Sequence, residues 1–165
     1  MLSRIRHLFD QQSLSIIINS LFFSYKLFYC STVWSGTSKS IIHKLLLVQN
    51  FSARKFEHIT PTLKDLNLLP VSNLLRIRDA VLMDKCMNNL APDYLTCLFK
   101  KRSRIHQHNT RNSKNLDIPK CRTAKAENSF SYRGVSVWNS FPSEILNSPS
   151  MSVFKRKLKS HYFDR

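Results

Sequence analysis

The side chains able to do chemistry in this sequence are scattered. Its ten acids are Asp10, Glu57, Asp65, Asp79, Asp84, Asp93, Asp117, Glu127, Glu144 and Asp164, and no two are adjacent. Two-metal phosphoryl chemistry needs carboxylates gathered around ions roughly 4 Å apart, and no clustered motif supplies them. There is no G-x-S-x-G elbow, no H-E-x-x-H, no phosphate-cradling loop and no Cys-His pair in a nucleophile's setting. Cys30, Cys86, Cys97 and Cys121 stand far apart without a CxxC pair, and Cys86 falls on an apolar helix face. Free thiols in a reducing compartment are therefore expected. Cys97, His106, His108 and Cys121 give the spacing C-x8-H-x-H-x12-C, which fits no compact zinc finger. The reading is a chain with no catalytic residue, no metal site and no cofactor.

What remains as chemistry is positive charge. Twenty-six Lys and Arg stand against ten Asp and Glu, a net +16. A pI near 10.1 implies attraction to polyanions such as RNA, DNA or an anionic membrane surface. Such attraction carries no sequence specificity. Between Lys100 and Lys125 the cations Lys100, Lys101, Arg102, Arg104, Arg111, Lys114, Lys120, Arg122 and Lys125 face the single acid Asp117, a net +8 in 26 residues. With few apolar residues to bury, this stretch is expected to be a basic, partly flexible connector. No aromatic residue interleaves its cations, so it offers no stacking platform for single-stranded bases. A solvated loop without a ligand would show the same charge run. Lys155, Arg156, Lys157 and Lys159 form a second cluster, set among Met151, Phe154, Leu158 and Phe163 at helical spacing. That pattern is a basic amphipathic helix.

These charges need elements to hold them. The strongest pattern lies in the centre, where Val71, Leu74, Leu75, Val81, Leu82 and Cys86 share one side of a helix. Pro70 cannot extend a preceding helix, Ser72 is a suitable N-cap, and Asn88, Asn89 and Pro92 end the run. Ile77, Ala80, Met83 and Met87 lie off that side, so the helix is apolar over more than one face and belongs inside a bundle. Arg78 and Lys85 sit seven residues apart on it, their stems packing while the charges reach a partner or a groove.

Upstream, Met1–Asp10 is basic and Leu14–Tyr29 strongly apolar, the charge order of an export signal. Asn19, Ser20, Ser24 and Lys26 interrupt the apolar run, and a buried amphipathic helix is expected there rather than a membrane span. Cys30–Gly36 reads as a loop with Trp34 as a core anchor, followed by a helix capped by Thr37 or Ser38. Ile41, Ile42, Leu45, Leu46 and Val48 supply its inner face, through to Phe51. Thr60-Pro61 opens a short helical turn, Thr62–Leu66. Downstream, Phe130–Leu146 concentrates Phe130, Tyr132, Trp138 and Phe141, and Ser140–Pro142 splits it into two short helices that cap the main bundle. With only Gly36 and Gly134 as glycines, tight-turn β folds are excluded. The expected architecture is mainly α: an irregular bundle over 1–99, the basic connector 100–129, and an aromatic cap with the C-terminal basic amphipathic helix over 130–165.

Several stretches read together as a pattern: LSRIRHLFD, LFYCSTVWSG, HKLLLVQNFSAR, FEHITPTLKDLNLLPVSNLLRIRDAVLMDKCMNNLAPDYL, RNSKNLDIPKCRTA, SFSYRGVSVWNSFPSEI and SVFKRKLKSHYF. In this order they resemble the region that follows the polymerase core in reverse transcriptases of jockey-type non-long-terminal-repeat retrotransposons. The resemblance implies that 1–99 is similar to the polymerase thumb and its extension. It also implies that the palm's YxDD carboxylates lie upstream of Met1, and that the inherited task is contact with an RNA or DNA backbone. It places basic residues at Arg54, Arg78, Lys85, Arg111, Arg122 and Arg133. The chain departs from the family where several residues are missing between Arg54 and Lys55, at Leu68 in place of a common Trp, and at Asp84 in place of an apolar residue.

The expectation is thus a catalytically silent fragment that binds nucleic acid through phosphates, in the nucleus or cytoplasm. The competing expectations are the C-terminal part of an active polymerase read from an internal Met, and a small membrane-anchored or exported protein.

Overall fold

A computed structural model describes residues 8–18, 20, 28–53, 63–105 and 113–164. The chain divides into two units, Met1–Leu75 with Tyr162–Arg165, and Arg76–His161. Among the described residues the structure is mainly helical, as expected, and contains no β-strand.

In the first unit lie α1 (Gln11–Ile18), α2 (Ser31–Trp34) and α3 (Lys39–Ala53). Leu63, Leu66, Leu68, Val71 and Leu75 form its buried core, with Phe9, Phe28, Trp34, Ile42, Leu45 and Leu74 packed around them. Trp34 anchors as expected, and its indole Nε1–H donates to the Tyr29 carbonyl at 3.1 Å. The segment read as a loop instead closes one helical turn, α2, entered through Cys30 in the left-handed region at φ 47°. Ser38 stands at the start of α3, its carbonyl accepting from the Ile41 and Ile42 amides.

The inner face of α3 differs from the expected one. Ile42 and Leu45 pack inward, but Ile41, Val48 and Phe51 are exposed. The inward position one turn beyond Leu45 belongs to Gln49, which is completely buried. Its Nε2 donates to the Leu69 carbonyl at 2.8 Å, and its Oε1 accepts from the Val71 amide at 2.9 Å. Buried backbone groups must be paired, and one side-chain amide pairs two of them. The central helix starts where expected, near Ser72. Helix α4 (Val71–Met87) begins one residue before Ser72, with the Pro70 carbonyl accepting from Asn73 and Leu74, and Gln49 pairs the Val71 amide, a first-turn amide with no partner within the helix.

The second unit holds α4 beyond Leu75, α5 (Asp93–Thr96), a 3-10 turn at Arg102–Arg104, α6 (Ala124–Glu127), α7 (Phe130–Asn139), α8 (Ser143–Leu146) and α9 through His161 of Met151–Phe163. Here α4 is buried on more than one face: Ala80, Met83 and Cys86 are inside, and Leu82 and Met87 pack against the same core. It ends on Asn89 at φ 55°, where the Leu90 amide reaches the Lys85 carbonyl and the Asn89 amide that of Cys86, a Schellman termination. The α7–α8 break falls at Ser140–Pro142, as expected. Helix α7 lies close to α4 because position 134 is glycine; a Cβ there would stand 2.9 Å from Met83 Sδ. Phe99 meets Phe130 edge-on with ring centroids 5.8 Å apart, and Trp138 tilts over Phe154 at 6.0 Å. Helix α9 buries Phe154 and Leu158.

Within the basic stretch the described residues on either side of 106–112 are paired with each other. Lys101 and Leu116 pair in antiparallel fashion, flanked by bonds from the Arg102 amide to the Asn115 carbonyl and from the Asp117 amide to the Lys100 carbonyl. Leu116 is buried in the core with Phe99 and Val135. Asn139 at the end of α7 grips Leu116 from both sides, Oδ1 accepting from its amide at 3.0 Å and Nδ2 donating to its carbonyl at 2.9 Å. Further on, Thr123 caps α6 by accepting from the Ala126 amide.

Among the described residues no helix is long and apolar enough to cross a membrane. The N-terminal apolar run falls only partly within them, and Thr60-Pro61 lies outside.

Candidate nucleic-acid interface

The hydrogen-bonded arms of the basic stretch determine where its cations stand. Lys100, Lys101 and Arg104 on the first arm and Lys114 on the second are exposed, and Arg102 is half-buried. Lys120, Arg122 and Lys125 are exposed along the run into α6. Sixteen positions separate Lys100 from Leu116 in sequence, yet the Lys101–Leu116 pairing brings both arms onto one hairpin-like ridge.

On α9, Lys155, Arg156 and Lys159 are exposed, with Lys155 and Lys159 one turn apart on the same face. Lys157 is held differently. It is half-buried, and its Nζ donates to the Glu144 carbonyl in α8 at 2.7 Å. On α4, Lys85 is exposed in the last turn, where its charge complements the helix C-terminus. Arg78 is exposed as a residue, and partial burial of its guanidinium lowers its pKa from the ordinary value. Arg54 and Arg111, both named from the sequence, lie outside the described residues, as do His106 and His108.

Arg133 has a different position from the other candidates. Its Nε donates to Asp79 Oδ2 at 2.6 Å, Nη2 to Asp79 Oδ1 at 3.3 Å, and Nη1 to the Asn128 carbonyl. Asp79 is 1% exposed. A guanidinium that grips a carboxylate with two nitrogens and a carbonyl with the third is committed to the fold.

Asp84, the second acid of α4, is buried too, and Asn88 one turn on donates from Nδ2 to its Oδ1 at 3.1 Å. Burial pushes its carboxyl above the ordinary value, partly offset by that hydrogen bond. Asp84 lines a cavity of about 650 Å3 together with Lys101, Lys114, Trp138 and Phe141. Sequence spacing could not reveal this group, since Lys101 and Lys114 become neighbours only through the pairing of their arms, and Trp138 joins them from α7.

Among the described residues no three His, Cys, Asp or Glu side chains gather as metal ligands. Cys97 is exposed, Cys121 half-buried, and Cys86 is buried with its thiol pKa raised by that burial. The arrangement can present positive charge to a polyanion and can enclose a small polar group beside two aromatic rings. No protein-family model, no curated protein and no solved structure matches this chain.

Proposed function

We propose that this chain is a catalytically silent, retrotransposon-derived module that holds RNA or DNA by its phosphate backbone without reading sequence. The observation that carries the reading is the sorting of charge in the second unit. Its sequence has 17 Lys and Arg against six Asp and Glu, and two of those acids, Asp79 and Asp84, are buried. The exposed face therefore bears an excess of cations, which favours a polyanionic partner. The ordered resemblance to the post-palm region of jockey-type reverse transcriptases supports the same partner, and such a partner would be met in the nucleus or the cytoplasm.

The test is filter binding of a mixed-sequence RNA at two or more salt concentrations. Affinity should fall steeply with salt and vary little between sequences. Replacing Lys100, Lys101, Arg102 and Arg104 together with Gln should lower the log-log salt slope by up to about three to four units, close to one for each phosphate contact removed. A flat salt response in the parent protein removes the proposal. An unchanged slope in the quadruple variant reduces the hairpin ridge to a solvated loop.

A further inference from the structure

The cavity beside Asp84 has more built into it than a backbone-binding surface requires. Its volume of about 650 Å3 falls within the range of small-molecule sites, roughly 300 to 1,000 Å3. Its lining is sorted by chemistry. Lys101 and Lys114 are supplied by the two paired arms, Trp138 and Phe141 by α7 and the break that follows it, and Asp84 by α4. Asp84 is 8% exposed, and Asn88 takes its Oδ1, leaving Oδ2 for a donor from a ligand. The lysines are held in place indirectly, through the Lys101–Leu116 pairing and the double grip of Asn139 on Leu116.

A lone inorganic anion would meet the lysines but would be repelled by the carboxylate behind them. A purely apolar ligand would leave Asp84 without a donor. The complementary ligand has three parts: an anionic end, a flat ring to lie against an aromatic side chain, and N–H donors on the ring edge. We propose that the cavity takes one unstacked nucleotide of a bound strand, its phosphate against Lys101 and Lys114, its base against Trp138 and Phe141, and its donor edge toward Asp84. Guanine is the preferred base, because its N1–H and N2–H2 groups are adjacent donors matched to a carboxylate, whereas uracil sets its single N3–H between two carbonyl oxygens. Recognition of a splayed base by its edge and by stacking is the usual way proteins read single strands. The inference rests on the nucleic-acid reading of this unit and adds a base preference that backbone contact alone would not give.

The test is isothermal titration of the full chain with 5′-GMP, 5′-UMP, guanosine, inorganic phosphate and phosphotyrosine. GMP should saturate one site and bind about tenfold or more tighter than UMP, the discrimination expected of one good base-edge contact. Guanosine and inorganic phosphate should each bind more weakly than GMP by at least a similar factor. Asp84→Asn should bring the GMP-to-UMP ratio close to one with the circular dichroism spectrum unchanged. Lys101→Ala with Lys114→Ala should remove the advantage of GMP over guanosine. Absence of saturation, equal binding of GMP and UMP, phosphotyrosine matching GMP, or an Asp84→Asn variant that keeps the full discrimination overturns the proposal. The salt slope for homopolymeric RNA, measured in the same buffers, separates the two readings. A steep slope without a GMP site removes the cavity proposal alone, and a GMP site with a flat slope removes the backbone proposal alone.

Discussion

Arg133 offers the sharpest separation between a residue that binds a partner and one that holds the fold. Replacing it with Met keeps the aliphatic stem and removes the guanidinium. Asp79 would then sit at 2% side-chain exposure with its bidentate guanidinium partner gone. Breaking a buried pair from one side costs roughly 3 to 5 kcal/mol, because the remaining carboxyl loses its cation. Arg133 itself is 19% exposed, so part of the pair is wet, and the lower end, about 3 kcal/mol, is the figure to expect. For a unit of this size that corresponds to a fall in Tm of roughly 10 °C or more. Asp79→Leu should cost less, since the arginine it abandons can reach water. The double variant should recover much of the loss, giving a coupling energy above about 2 kcal/mol in a double-mutant cycle. The assay is thermal melting by circular dichroism, paired with the salt slope of RNA binding. The geometry requires an unchanged slope per folded molecule. An Arg133→Met protein that melts like the parent while losing about one unit of slope would show that the guanidinium contacts phosphate, and would refute the assignment.

Gln49→Leu should destabilise the first unit by roughly 2 to 5 kcal/mol, because the Leu69 carbonyl and the Val71 amide both lose a buried partner; urea titration measures it, and a neutral result would mean that water replaces the side chain. Gly134→Ala should cost about 1 to 3 kcal/mol from crowding against Met83 and Phe130, reduced by up to about 1 kcal/mol of helix propensity. A net gain in urea midpoint would show that Met83 moves aside. Asp84→Asn should raise Tm by a few degrees at neutral pH. The folded carboxyl has a raised pKa, so Asp84 favours the folded state most when protonated, below the ordinary value near 3.8, and loses that contribution as pH rises through the raised value. The difference between variant and parent should accordingly close in acid, and a difference independent of pH would contradict the desolvation argument.

Local signals in the sequence reached far into this fold where the physics was local. Helices α4, α7 and α9 form where apolar spacing predicts helix, although beyond Leu75 α4 buries Ala80 and Met83 more fully than Val81 and Leu82; the split between α7 and α8 follows Pro142, and the end of α4 follows Asn89, a residue that tolerates the left-handed conformation. Gln49 was invisible for the opposite reason. A polar residue within HKLLLVQNF suggests the solvent face, and only the arrival of Leu69 and Val71, more than a turn past another helical segment, gives its amide two buried partners. Once Gln49 turns inward, the 3.6-residue period forces Val48 and Phe51 outward. The anchoring of Leu116 within the basic stretch was hidden similarly, since one leucine in a run of cations is a weak signal, and the Asn139 amide that secures it lies 23 residues on.

The candidate site was legible as composition but not as geometry, and charge explains why. Counting Lys and Arg finds the basic surface but cannot tell Arg133, turned onto Asp79, from Arg122, turned to solvent. The difference lies in a carboxylate 54 positions away. The same central helix contributes both buried acids, Asp79 and Asp84, five residues apart. One is paired with a guanidinium within the fold, and the other, among the described residues, meets the Asn88 amide and lines a cavity with two lysines in its lining. Burying a carboxylate without a cation is costly, and burial pushes the Asp84 carboxyl above its ordinary value, partly offset by the Asn88 hydrogen bond. A buried acid that shares a cavity lining with two lysines is the group the proposed nucleotide site would use.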